Sequence, residues 1–231
     1  IEKGCCLQPF FYLCTIMKQN YQSDYIQHLV AQGEHVQQDF KFAITDARKI
    51  ARSISAFANT EGGRLLVGVK DNGKIAGVRS EEEIYMIEAA ATMYCQPKVE
   101  IRNTIYNVEG KNVLEVQIAP SEQKPVYALD EQNKPWAYVR IKDENILATP
   151  VHLQKWLHDD LKKDVVIAYT EQEQAVLNLF RDNALLTLNQ CCKLSQMNRK
   201  KTCQLIADFI RFDLLEEVFD NHKFYFRLKA E

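Results

Sequence analysis

Residues 55–69 read Ser-Ala-Phe-Ala-Asn-Thr-Glu-Gly-Gly-Arg-Leu-Leu-Val-Gly-Val. An amphipathic helix runs into Asn59-Thr60-Glu61-Gly62-Gly63 and leaves as a continuous apolar strand. Glycine is the residue that tolerates positive φ at such a turn, and Asn59 is expected to cap it or hydrogen-bond within it. A helix, a Gly-Gly turn and a buried strand in direct succession are a fold signature.

The flanking residues sharpen it. Upstream stands Glu34-His35-Val36-Gln37-Gln38-Asp39-Phe40-Lys41, and downstream Lys70-Asp71-Asn72-Gly73-Lys74-Ile75-Ala76-Gly77-Val78. An acidic-Phe-Lys element, a helix ending in Ala-Phe-Ala-Asn-Thr-Glu-Gly-Gly, then Gly-Val-Lys-Asp-Asn-Gly and Ile-x-Gly-Val resemble, in order and spacing, the AlbA_2 domain. That module is shared by the Schlafen proteins and by bacterial proteins labelled as transcriptional regulators, and the resemblance covers roughly Tyr21 to Leu161. It implies an α+β fold, a mixed sheet with flanking helices. In the nuclease-active Schlafen proteins the resembling positions give three carboxylates to a divalent metal, which here implies Glu34, Asp39 and Asp71 around magnesium or manganese. The chain carries the shorter Asp39 where the family usually has glutamate. The plainer reading of the trio, a helix exit, a strand start and a turn residue, is weighed above catalysis.

At 231 residues the chain suits two modest domains, given about 100–200 residues per domain. A composition of 46% hydrophobic and 26% charged residues is that of a globular protein with a core. The formal net charge of −2 supplies no global field toward nucleic acid or anionic membrane, so any nucleic-acid contact must be local. The seven cysteines show no Cys-x-x-Cys pair, and the five histidines are scattered with no matched nucleophile. A reducing cytoplasm is the expected compartment. Residues 1–16 precede the first methionine, Met17, and are read as an N-terminal extension. Their apolar run is too short for a membrane span.

The periodicity then gives an order of elements. A helix over Tyr21–Gly33 precedes a strand over Phe40–Ile44 and a helix over Asp46–Thr60, whose Arg48, Lys49 and Arg52 fall opposite its apolar face. Strands over Arg64–Lys70 and Lys74–Val78 flank an Asn-Gly turn, and Ser80-Glu81-Glu82-Glu83 reads as a capping box for a helix to Tyr94. A hairpin over Val99–Ile118, an irregular connection over Ala119–Pro135, a strand over Trp136–Lys142 and a helix over Val151–Leu161 complete a first domain, 17–162. Thr170 opens a helix to Asp182, followed by helices from Thr187 and from Asn198 and by a hairpin around Asp220–Lys223. This second domain, 168–229, resembles a winged helix, whose third helix enters the major groove.

Three sets of residues are candidates for binding. Arg199, Lys200 and Lys201 open the third C-terminal helix, where cations and helix amides face phosphate and base edges. Lys41, Arg48, Arg52 and Arg64, with Lys49, Lys70 and Lys74, form a possible phosphate-contacting face. Gly62-Gly63 is a weaker candidate for cradling a nucleotide phosphate, since neither phosphate-loop pattern is present. The reading is a cytoplasmic nucleic-acid-binding protein, a DNA-binding transcriptional regulator, acting as a homodimer on two half-sites and without a membrane role. The alternatives are a metal-dependent RNA or single-strand nuclease and a nucleotide-binding or interaction adaptor.

Overall fold

The computed structural model describes residues 21–159 and 170–229. The readings of residues 1–16 and of the segment joining the two domains lie outside the described residues, the latter almost entirely. The chain divides between Leu147 and Ala148 into two compact units.

In the first unit, helix α1 covers 21–31 and Gly33, at φ +72°, turns the chain out of it. Strand β1 (Gln38–Lys41) pairs in parallel with β2 (Gly63–Val67), which pairs antiparallel with β5 (Lys111–Ile118), which pairs with β4 (Ile101–Val108). The mixed sheet has the order β1-β2-β5-β4. A second, antiparallel sheet has the order β3-β6-β7-β8, with β3 at Cys95–Gln96, β6 at Tyr127–Leu129, β7 at Pro135–Ile141 and β8 at Glu144–Leu147. Helix α2 (Ala47–Asn59) lies against both sheets, which explains why every residue from Ser53 to Asn59 is buried and why alanine and serine dominate there. Small side chains let two layers approach one helix. Helix α3 (Glu82–Thr92) closes that core through Ile87, Ala90 and Ala91, while α1 covers the opposite face of the mixed sheet with Ile26 and Leu29 against Phe40, Leu66 and Val113.

Four local readings change. The first strand starts two residues earlier than its periodicity suggests, because pairing with β2 places Gln38 opposite Arg64 and Asp46 already caps α2. Lys74–Val78 makes no ladder: only Val69 and Ile75 bridge, and Gly68 and Gly77, at φ +89° and +87°, take the chain out of register. Ser80 does not cap α3; the buried Glu83 carboxylate instead accepts from Arg79 N and from Ile44 N, each at 2.8 Å. The connection over Ala119–Pro135 contains β6, and β8 follows β7 through a turn with Lys142 at φ +56°.

The second unit begins ahead of α4 (Pro150–Asp159), the helix the sequence reading set at the end of the first domain; its Val151 lies in the second unit's core with Val176, Phe180, Ile206 and Phe209. Helices α5 (Glu171–Asp182), α6 (Leu188–Ser195) and α7 (Arg199–Arg211) follow. Both α5 and α6 open with complete capping boxes, Thr170 with Glu173 and Thr187 with Gln190. Strands β9 (Leu215–Asp220) and β10 (Lys223–Leu228) form a hairpin, and Leu186, between α5 and α6, adds a third rung by exchanging two backbone bonds with Phe226 at 2.8 and 3.0 Å. Cys191 and Cys203 are free, buried thiols here, and burial pushes Cys191 up to about 12, so it stays protonated at neutral pH. Among the described residues no helix is long and apolar enough to cross a membrane.

Candidate nucleic-acid interface and carboxylate cluster

The Gly-Gly turn is built for packing. A Cβ on Gly62 would lie 2.7 Å from Ile118 O and 2.8 Å from Pro120 Cδ, and one on Gly63 would lie 2.5 Å from Phe57 Cδ1. Protein atoms therefore pack against both α-carbons, and Gly62 N donates to Phe57 O at 3.0 Å, while Glu61 stays exposed with its carbonyl accepting from Gln37 Nε2. Asn59 does not serve the turn. Its amide donates to Val126 O at 2.8 Å and Tyr138 O at 2.9 Å, and its Oδ1 accepts from Val126 N at 2.7 Å, so it fastens α2 to the second sheet.

Beside this turn the structure brings Glu34 and Asp39 together. Glu34 Oε1 accepts from Phe40 N at 2.8 Å, which folds the carboxyl back over the start of β1, and the two carboxyl groups share a hydrogen bond. Asp39 is claimed by two cations, Lys41 Nζ at 2.6 Å and Arg140 Nη2 at 3.5 Å. Arg140 comes from β7, is 1% exposed at its side chain, and also donates to Gln38 O at 3.0 Å and Asn145 Oδ1 at 3.0 Å. Asp71 sits apart in its exposed turn. Among the described residues no group of three His, Cys, Asp or Glu side chains is placed to hold a metal ion, so the trio as arranged here does not fit a three-carboxylate metal site.

Burial, then the hydrogen bond with Asp39, raise the Glu34 pKa above the usual carboxylate range. An acid whose folded-state pKa is raised binds its proton better when folded, so its contribution is present below the unfolded value and is lost as pH rises through the folded one. Glu34→Gln, which keeps the acceptor for Phe40 N and removes the charge, is therefore expected to stabilise the protein more at pH 7 than at pH 4.5. Urea unfolding at the two pH values reads the difference, and equal effects would show that Glu34 titrates normally. His35 moves the other way: burial and the neighbouring guanidinium groups of Arg64 and Arg140 lower its pKa.

The basic candidates separate. Arg64 donates to Tyr25 Oη at 3.5 Å and pairs at 3.4 Å with Glu115, a fully buried carboxylate on β5 that also accepts from Tyr25 at 3.1 Å. Burial of the Tyr25 hydroxyl and then the Glu115 charge push Tyr25 up to about 12. Arg48 is spent on structure, donating to Asp130 O at 3.1 Å and lying 4.5 Å over the Tyr94 ring. Lys70 lies over Phe42, whereas Lys49, Arg52 and Lys74 are exposed. In the second unit Asn198 caps α7 by accepting from Lys201 N at 2.9 Å, which presents Arg199 and Lys200 to solvent. Arg199 bonds Asn189 Oδ1 and Lys201 bonds Gln172 Oε1, both neutral amides, and the Lys201 charge also lies near the Glu173 carboxylate.

Arg140 and Glu115 escape a reading of the sequence. The one signal for either is a charged residue inside an apolar strand, and nothing local names the partner, 101 and 51 residues away respectively in the pairs Arg140–Asp39 and Glu115–Arg64.

A family model described as Schlafen, AlbA_2 matches residues 34–149, half of the chain and nearly the whole first unit beyond α1. None of the curated proteins matches. Among solved structures, the DIP2311 protein from Corynebacterium diphtheriae aligns with a TM-score of 0.47 at 15% identity over 91% of this chain, which spans 38% of that one. The N-terminal domain of a putative ATP-dependent DNA helicase RecG-related protein from Nitrosomonas europaea aligns with a TM-score of 0.41 at 21% identity, over 52% of this chain and 86% of that one. With the motif residues, the mixed sheet and the family model in agreement, the chain belongs to the Schlafen AlbA_2 family.

Proposed function

We propose that the protein binds nucleic acid, and that it is a DNA-binding transcriptional regulator whose second unit is a winged helix docking α7 against duplex DNA. The observation that carries this reading is the first turn of α7, where Arg199, Lys200 and Lys201 stand together on a capped helix start, Arg199 bonded to the neutral amide of Asn189 and Lys201 to that of Gln172 near Glu173. Three helices followed by a hairpin, with Leu186 as a third rung, support the winged-helix assignment. Family membership supports the nucleic-acid role of the first unit, where the proposed phosphate contacts are Lys41 on β1 and Arg64 on β2, with the exposed Lys49 and Arg52 on α2 as further candidates. We further propose a homodimer on two half-sites in the cytoplasm. The nuclease alternative asks for three carboxylates converging on one ion; Asp39 is neutralised by Lys41 and Arg140 instead.

Replacing Arg199, Lys200 and Lys201 together by alanine is expected to flatten the log-log salt dependence of duplex binding by about 0.9 for each phosphate that no longer meets a cation, close to three in total. An unchanged slope would remove α7 from the interface. Manganese-dependent cleavage of a structured RNA that disappears in Asp39→Asn and in Asp71→Asn would replace the regulator by the nuclease.

A further inference from the structure

The second unit contains a concave pocket of about 380 Å³ where the starts of α4, α6 and α7 meet the β9–β10 hairpin. Its charge is one-sided. Of the residues lining it, Arg199 and Lys223 carry formal charge and both are positive, while the acidic residues of the hairpin, Glu216, Glu217 and Asp220, do not line it. Arg199 spends one donor, Nη1, on Asn189 Oδ1 at 2.6 Å, which fixes the guanidinium at the rim and leaves the rest of its fork for another acceptor. Lys223 is exposed at the start of β10, directly opposite Asp220 in the hairpin. Thr149 and Thr187 also line the pocket, their hydroxyls bonded to His152 Nδ1 and Gln190 Oε1 at the starts of α4 and α6, and Phe224 with Phe226 supplies an apolar wall.

A guanidinium and an ammonium lining one small pocket, with no acid in its lining, favour a compact anion, and the fork of arginine matches two oxygens of a phosphate. The aromatic wall and the volume ask for more than the anion alone: a ligand site of 300–1,000 Å³ with mixed apolar and polar lining is the usual form of a small-molecule pocket. We infer that this pocket binds a phosphomonoester of mononucleotide size, its phosphate between Arg199 and Lys223 and its body against Phe224. The inference does not require the DNA reading, since the ligand reaches the pocket in the absence of nucleic acid.

Isothermal titration of the full chain with adenosine, cytidine and guanosine monophosphates, and separately with inorganic phosphate, tests it. Saturable binding of at least one nucleotide is expected, at least tenfold tighter than that of inorganic phosphate. Lys223→Glu and Arg199→Gln, both changes at exposed side chains, are each expected to weaken it tenfold or more, and Lys193→Gln on the last turn of α6 to leave it unchanged. Absence of saturable binding, or full binding in Lys223→Glu, would overturn the proposal. A short duplex that binds through Lys223 while every free nucleotide is silent would overturn it too, by assigning the pocket to a backbone phosphate.

Discussion

Asn59→Ala is expected to lower the unfolding free energy of the first unit by about 4 kcal/mol, since it strips partners from two backbone groups at once and each buried group left unpaired costs about 1–3 kcal/mol. Val126 N loses the acceptor at 2.7 Å and Tyr138 O the donor at 2.9 Å. The helix itself would survive, because its apolar face is intact; what loosens is the second sheet. Ser55, one turn earlier, donates to the same Val126 O at 2.8 Å and accepts from Tyr138 N at 3.1 Å. Ser55→Ala should therefore cost less alone, and the double variant less than the sum, because neighbouring sites that share a partner are not additive. Thermal unfolding should fall by about 10 °C for Asn59→Ala. A shift within about 2 °C would mean that the two sheets are held without this side chain.

Arg140→Met should cost about 3–5 kcal/mol, the range for removing one partner of a buried ion pair. It leaves Asp39, 5% exposed at its side chain, with Lys41 as its one cation and takes from Gln38 O the Arg140 donor at 3.0 Å, leaving that of His35 N. Pairing the change with Asp39→Asn should recover part of the stability, because the stranded charge is then gone. A second readout separates electrostatics from packing. The Arg140 charge helps to lower the His35 pKa, so proton NMR should find the His35 titration moved upward in Arg140→Met. Wild-type stability together with an unmoved His35 would show that the guanidinium is not the centre of this cluster.

What the sequence discloses is what neighbours decide. Thr170 with Glu173 and Asn198 with Lys201 are three residues apart, and the helices they open lie within a residue of their expected bounds. The Ile101–Ile118 hairpin and the Gly62-Gly63 turn are equally local. Asn59 is the contrary case: the motif marks the residue, yet its partners are 67 and 79 positions away, and they turn an expected turn residue into a bolt between layers. Arg48 is read as one of a basic helix face, and the turn at Asp130–Asn133 takes it out. Glu34 and Asp39, five apart, share no face of a regular element, and only the fold-back of Glu34 onto Phe40 N unites them. Asp71 has no such device. β6 and β8, at three and four residues, are too short for an alternating pattern to declare itself.

Between β2 and β5 the chain crosses over itself with almost no clearance. Gly68 O accepts from both Ala76 N at 2.8 Å and Gly77 N at 2.9 Å, and a Cβ on Gly68 would stand 2.7 Å from the Gly77 backbone. The crossing acts as a clasp, and the tip it closes off, Lys70 to Lys74, is held by its own Lys70 N to Lys74 O bond and is largely exposed. A segment sealed at its base transmits little of what happens at its tip. The motif stretch around Asp71 and Asn72 is thus the place where this unit can be lengthened, tagged or split into two chains, whereas a side chain at Gly68 would collide with backbone and one at Gly77 would be strained by its positive φ.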